Sequence, residues 1–251
     1  MLISVNGLVL RASKYGDCDK MITLLTKEYG IISVGAKGSK NLKSRLLSGT
    51  QQFCYGTFSL YSSKNKYSLN DAELIENFYN LRTDIVYLAL AGYICELASV
   101  LAPENQDSGE LLPLVLNSLF LASKMKKPAS QIKAVFELRA MSLSGFAPDI
   151  VACNGCGCFE NDVMYFSPGE GILFCKKCFD GLSEKPADAK AISPEVLYAM
   201  RFIVFSEPKK IFSFTMDKSP LDALAKLCED YVGNKTDRSF TTLDFYNTVK
   251  D

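Results

Sequence analysis

The stretch "CNGCGCFENDVMYFSPGEGILFCKKC", Cys153 to Cys178, carries five of the nine cysteines of a 251-residue chain. Four of them are spaced C-x2-C-x18-C-x2-C, with Cys153 and Cys156 in one pair and Cys175 and Cys178 in the other. A C-x2-C turn aims two thiolates at one ion, and two such turns complete the tetrahedral sulfur shell that zinc accepts in closed structural sites. Gly155 and Gly157 give the first turn permissive backbone, and Lys176 and Lys177 place positive charge beside a dianionic zinc-thiolate centre. Cys158 is out of register and reads as the spare. An iron-sulfur cluster or a thiol redox pair is the other use of such a set.

Composition narrows the chemistry. With 48% apolar and 22% charged residues the chain is an ordinary globular protein with ample material for a core. Its amino terminus, "MLISVNGLVLRASKYGDCDK", lacks the basic region of a secretory signal, and no uncharged apolar run approaches the ~18 to 20 residues of a membrane span. A cytoplasmic protein is expected, where disulfides rarely persist. Cys18, between Asp17 and Asp19, and Cys54, Cys95 and Cys228, beside apolar residues, are expected to be small core residues. The chain has no histidine, which removes Ser-His and Cys-His nucleophile pairs and the usual helix-borne zinc motifs.

A metal clip joins its flanks. Before it, Ile132, Val135, Phe136, Leu138 and Met141 to Leu143 recur at helical spacing until Gly145 and Pro148. After it, Ser193 reads as an N-cap with Pro194 at the first helical position and Glu195 in the first turn. Further helices are expected around 81–101 and 110–126, and at about 221–232 opened by Ser219 and Pro220. The first eighty residues differ. "SVNGLVLRA", "KMITLLT", "GIISVGA", "QFCYGTFSLYS" and "KYSLNDAELIE" are β-branched and aromatic runs separated by turns, five strands that suggest a small, partly open barrel such as the OB-fold. The expected architecture is therefore α+β and multidomain: an OB-fold over 1–80, a helical domain over 81–149 and 181–251, and a four-cysteine zinc knuckle inserted at 150–180.

Charge indicates what the barrel meets. Net charge is zero, yet no acid occurs between Tyr29 and Asn70, while Lys37, Lys40, Lys43, Arg45, Lys64 and Lys66 are basic. Four of the six fall in "AKGSKNLKSR" after the third strand, where Gly35 and Gly38 let backbone approach a phosphate and Ser39 and Ser44 offer hydroxyls. The competing use of the loop is a solvated connection that keeps a barrel rim soluble. Phe53, Tyr55 and Tyr61 alternate along one strand, more in the manner of core than of a stacking platform.

These segments resemble the RecO family of DNA repair proteins over essentially the whole chain. The resemblance is carried by "LVLRASKYGDCDKMITLLTKEYGIISVGAKGSKNLKSRLLSGTQQF", by "FELRAMSLSGFAPDIVACNGCG" and by the closing "FCKKC". It implies an amino-terminal OB-fold joined to a helical domain with a zinc module. It also implies a non-enzymatic recombination mediator, cytoplasmic and nucleoid-associated. Such a protein binds single- and double-stranded DNA, anneals strands, binds RecR and the acidic carboxy-terminal tail of single-stranded DNA-binding protein (SSB), and so helps load RecA on coated strands. Lys37, Lys40, Lys43 and Arg45 match the family's basic loop, and Arg11 and Lys14 its first strand and turn. The balanced charge departs from the markedly basic character of many members. For a tail-binding pocket, Lys133 and Arg139 are rim candidates, set against an ordinary exposed helix face.

Two other classes compete. A zinc or thiol enzyme would use Cys158, but Gly157 and Phe159 beside it offer no activating base. A zinc-stabilised interaction adaptor would bind protein without nucleic acid, and the acid-free basic loop is the feature that argues against it.

Overall fold

The computed structural model describes residues 1–64 and 66–250. Five strands, β1 (Leu2–Tyr15), β2 (Asp19–Thr26), β3 (Gly30–Ala36), β4 (Tyr55–Ser63) and β5 (Lys66–Glu76), form a barrel in the order β1-β2-β3-β5-β4. The barrel closes, where the sequence suggested a partly open one, because β3 and β5 pair in parallel at Val34–Tyr67 and Gly35–Ser68. Period-two alternation fills it: Ile22 and Leu24, Ile32 and Val34, and Phe58 and Leu60 point inward in one buried cluster. A bulge between Val9 and Arg11 breaks the alternation of β1, so that Leu8, Val9 and Leu10 are all buried.

The chain packs as two compact units, residues 1–126 with 240–251, and residues 127–239. In the first, the barrel is followed by α1 (Leu46–Gly49, within the β3–β4 connection), α2 (Ile85–Leu101) and α3 (Leu111–Lys124), and the last helix, α8 (Thr241–Val249), returns to it. Asp84 caps α2 by accepting from the N–H groups of Val86 and Tyr87. The segment after α2 clasps the β2–β3 turn: Ile31 N–H donates to the Pro103 carbonyl and the Ser108 hydroxyl to that of Thr26. Gly30, at φ 54, makes this possible, since a Cβ there would lie 2.1 Å from the Pro103 oxygen. Helix α8 is held where Thr242 donates to the Glu96 carboxylate and Phe240 meets Tyr93 edge-on at 5.8 Å.

The second unit holds α4 (Ala129–Leu143), β6 (Met164–Ser167), β7 (Ile172–Cys175), α5 (Lys176–Asp180), β8 (Lys190–Ile192), α6 (Pro194–Phe205) and α7 (Lys218–Thr236), with a sheet ordered β7-β6-β8. The Ser193 hydroxyl accepts from Val196 N–H with Pro194 opening α6, as the sequence implies. Helix α7 starts earlier than expected, at Lys218, placing Pro220 inside its first turn, where no intrahelical N–H bond is lost. The small sheet and α8 were not anticipated: strands of three or four residues are too short to show a period.

Lys133 and Arg139 are not rim residues. Lys133 is 2% exposed, paired with the fully buried Glu137 at 3.0 Å and with Glu229 at 3.0 Å. Arg139 donates to the Ile203 and Val204 carbonyls at the end of α6. Both face inward because α4 is covered by α6 and α7, leaving little of it exposed. Burial by itself would raise the Glu229 carboxyl, but Lys133 and Lys226 outweigh it and hold it down at about 2. A carboxyl depressed in the folded state stabilises above its unfolded value and loses that contribution as pH falls toward the folded one. Helical content of this unit should therefore begin to weaken below about pH 4.5 and fall further toward pH 2, and Glu229→Gln should flatten that dependence in acid unfolding followed by circular dichroism. Lys133→Ala, which strands Glu137, should cost about 3 to 5 kcal/mol in urea unfolding.

Candidate functional site

Two pairs of cysteines converge in the second unit. Cys153 and Cys156 lie on a turn before β6, Cys175 ends β7, and Cys178 sits in α5, one helical turn on. Asn154 N–H donates to the Leu173 carbonyl, and Tyr165 stacks on Phe179 at 4.0 Å, so the β6–β7 hairpin carries both turns. The four sulfurs all lie within 4.8 Å of one another, with Cys156 and Cys175 3.7 Å apart. A tetrahedral sulfur shell with bonds of about 2.3 Å needs sulfurs about 3.8 Å apart, so the set can hold a metal ion.

The backbone is shaped for that set. A Cβ on Gly155 would lie 2.9 Å from the Cys178 sulfur, and Gly157 stands at φ 71. Burial opposes ionisation of Cys153, yet N–H groups of Cys175, Cys156 and Gly155 together outweigh it and hold the thiol down at about 6. Cys175 N–H meets the Cys153 sulfur at 3.2 Å. Cys158 stands outside the four; its carbonyl accepts from Cys153 N–H, and burial with the neighbouring thiols pushes its own thiol up to about 12. Of the outlying cysteines, Cys54, Cys95 and Cys228 are core as expected, but Cys18 is exposed in the β1–β2 turn, where its carbonyl accepts from Lys40 N–H.

Sequence inspection missed Arg201, which fastens this cluster to α6. Its Nε donates to the Ile150 carbonyl at 2.8 Å and Nη2 to those of Val151 at 2.8 Å and Phe159 at 2.5 Å, while the guanidinium lies 3.8 Å from the Phe159 ring centroid. Nothing local in the sequence distinguishes it from a surface arginine.

On the barrel, the β3–β4 connection is ordered against the β1–β2 turn. Asp19 accepts from Gly38 N–H at 2.8 Å, and Lys40 Nζ reaches the Gly16 carbonyl at 3.3 Å. Arg11, Lys14, Lys37, Lys43 and Arg45 are exposed and Lys40 half-buried, and none of the six is ion-paired among the described residues. Ser39 does not offer its hydroxyl to a ligand as expected, being buried and donating to the Ala36 carbonyl, whereas the half-buried Ser44 hydroxyl accepts from Leu46 N–H. Phe53 is buried and Tyr55 half-buried, but Tyr61 is 54% exposed beside Leu2, its partner across β1.

Residues 1–78 match a family described as "Recombination protein O N terminal", and residues 82–244 one described as "Recombination protein O C terminal". The chain belongs to the RecO family. It is similar to the DNA repair protein RecO of Acetivibrio thermocellus, 36% identical over 247 residues that cover 98% of this chain and 97% of that protein. The RecO of Alkaliphilus metalliredigens is 33% identical over 252 residues, covering 99% and 100%, and that of Symbiobacterium thermophilum 29% over 252, covering 99% and 98%. No helix among the described residues of this RecO-family chain is long and apolar enough to cross a membrane.

Gly155→Ala should displace Cys178 and lower metal affinity about tenfold or more, with Gly233→Ala, whose Cβ meets nothing within 4 Å and whose φ is not positive, as the control for lost backbone freedom. Serine at any of Cys153, Cys156, Cys175 or Cys178 should lower bound metal, whereas Cys158→Ser should leave it unchanged in elemental analysis.

Proposed function

We propose that this chain is a non-enzymatic recombination mediator that binds single- and double-stranded DNA through the barrel, anneals strands and helps load RecA on SSB-coated DNA. RecR and the acidic tail of SSB are its protein partners. The observation that carries this proposal is the basic surface around the β1–β2 turn in a chain of a DNA repair family. Lys37, Lys40, Lys43 and Arg45, with Arg11 and Lys14, form the phosphate track. Each cation that neutralises a phosphate releases condensed counterion, which gives affinity without sequence preference, as a factor acting anywhere on a chromosome requires. Residues 1–80 are then the DNA-binding module, and 150–180 a structural clip held by zinc.

Zinc is favoured for three reasons. Four thiolates in a closed shell leave no open position, the paired spacing suits one ion, and the arrangement needs no redox change. The ion would contribute folding free energy, since the unfolded chain has no preformed site.

Replacing Lys37, Lys40, Lys43 and Arg45 together with glutamine should weaken binding to all sequences alike. The slope of log affinity against log salt should flatten by up to about 0.7 per lost contact on single strands and about 0.9 on duplex. Stability should change by no more than about 0.5 kcal/mol, because these side chains are mostly exposed. Strand annealing should fall in parallel. Wild-type affinity together with wild-type slope, measured by fluorescence anisotropy, removes the loop from the DNA site.

A further inference from the structure

The second unit carries an open groove of about 860 Å³ between the loop that leaves the cysteine cluster and the amino-terminal ends of α6 and α7. Its floor is apolar and aromatic, with Leu197, Phe214, Met216 and Pro220, and Tyr198 stands 67% exposed beside it. A second depression of about 490 Å³ shares Glu195 and Pro220 with the groove and is bounded by β8. β8 is an edge strand, and no strand among the described residues pairs with its outer side. Two joined depressions beside an unpaired strand edge make a trough suited to an extended segment.

Charge decides which segment. Glu160, Asp162, Glu195 and Asp217 line the groove, all exposed. Arg201 is the one cation in its lining, and it is already engaged by three carbonyls, the Phe159 ring and Glu160 at 3.8 Å. Asp162, Glu195 and Asp217 form no ion pair among the described residues. The amino-terminal ends of α6 and α7 each add about half a positive charge, too little to offset the carboxylates. Lys190 and Lys226 line the second depression, but Lys190 is paired with Asp230, and Lys226 with Glu229 and Asp230. The rim of the groove itself is net negative, so it repels an acidic tail and a phosphate backbone alike. A cationic segment meets carboxylates and an aromatic face for its charges and an apolar floor for its other side chains.

We propose that this trough docks an extended, lysine- or arginine-rich segment of a partner protein that also carries apolar side chains. The site lies in the second unit and does not depend on the barrel's use for DNA.

The test uses the full, metal-loaded chain and three fluorescein-labelled nonapeptides, alternating lysine with leucine, lysine with glycine, and glutamate with leucine. The lysine-leucine probe should bind, and the other two at least about tenfold more weakly. Neutralising the rim as D162N/E195Q/D217N should weaken the first probe about tenfold, and Tyr198→Ser several-fold, while D71N/E73Q on the barrel should change nothing. All these side chains are exposed, and circular dichroism with metal content checks that each variant remains folded; Glu195→Lys alone gives the same reading independently. Unchanged binding in the folded rim variants, or equal binding of the lysine-glycine probe, overturns the proposal. So does self-association in sedimentation velocity that is lost both in the rim variant and in K40E/K43E, which would put the basic loop of a second copy in the trough.

Discussion

Like charges do not gather without a counter-charge, and four thiols within 4.8 Å are the constraint on which the second unit depends. As thiolates they would repel one another, and a cation bound by all four would hold the turn at Cys153–Cys156 to the end of the β6–β7 hairpin. Everything around the cluster is arranged for close approach. Gly155 has no Cβ to strike Cys178, N–H groups point at the Cys153 sulfur, and the hairpin fixes the spacing of the two pairs. Arg201 then passes this order to α6 by collecting carbonyls on both sides of the first turn. The clip thus fixes the position of a helix as well as closing a loop.

The two units solve their polar problems differently. In the first, a backbone clasp at Pro103 and Ser108 satisfies the β2–β3 turn, and a glycine at position 30 lets the chain come near enough. In the second, a lysine is buried between α4 and α7 with carboxylates on both. Such a pair contributes little net stability but leaves a severe penalty if one member is lost, so it constrains which helix faces meet. The basic residues of the barrel and the acidic residues of the groove lie on different units, which is how a chain of zero net charge presents two surfaces of opposite sign.

Strand and helix periods, the cysteine spacing and the Ser193-Pro194 cap were legible in the sequence because each is a local rule: neighbours two, three or four residues apart decide it. The barrel, the order of helices and the four converging thiols follow from such rules. The exposure of Cys18 was signalled by Asp17 and Asp19 beside it. By contrast, the sequence did not reveal that Ser39 is used up by backbone, that Lys133 points inward or that Arg201 spans the knuckle. Nor did it signal that the last helix returns to the first unit, because the bond from Thr242 to Glu96 joins residues 146 positions apart. A side chain's type sets what it can bond, but its partner is chosen by which segments the fold brings within about 3 Å, and no local pattern encodes that distance.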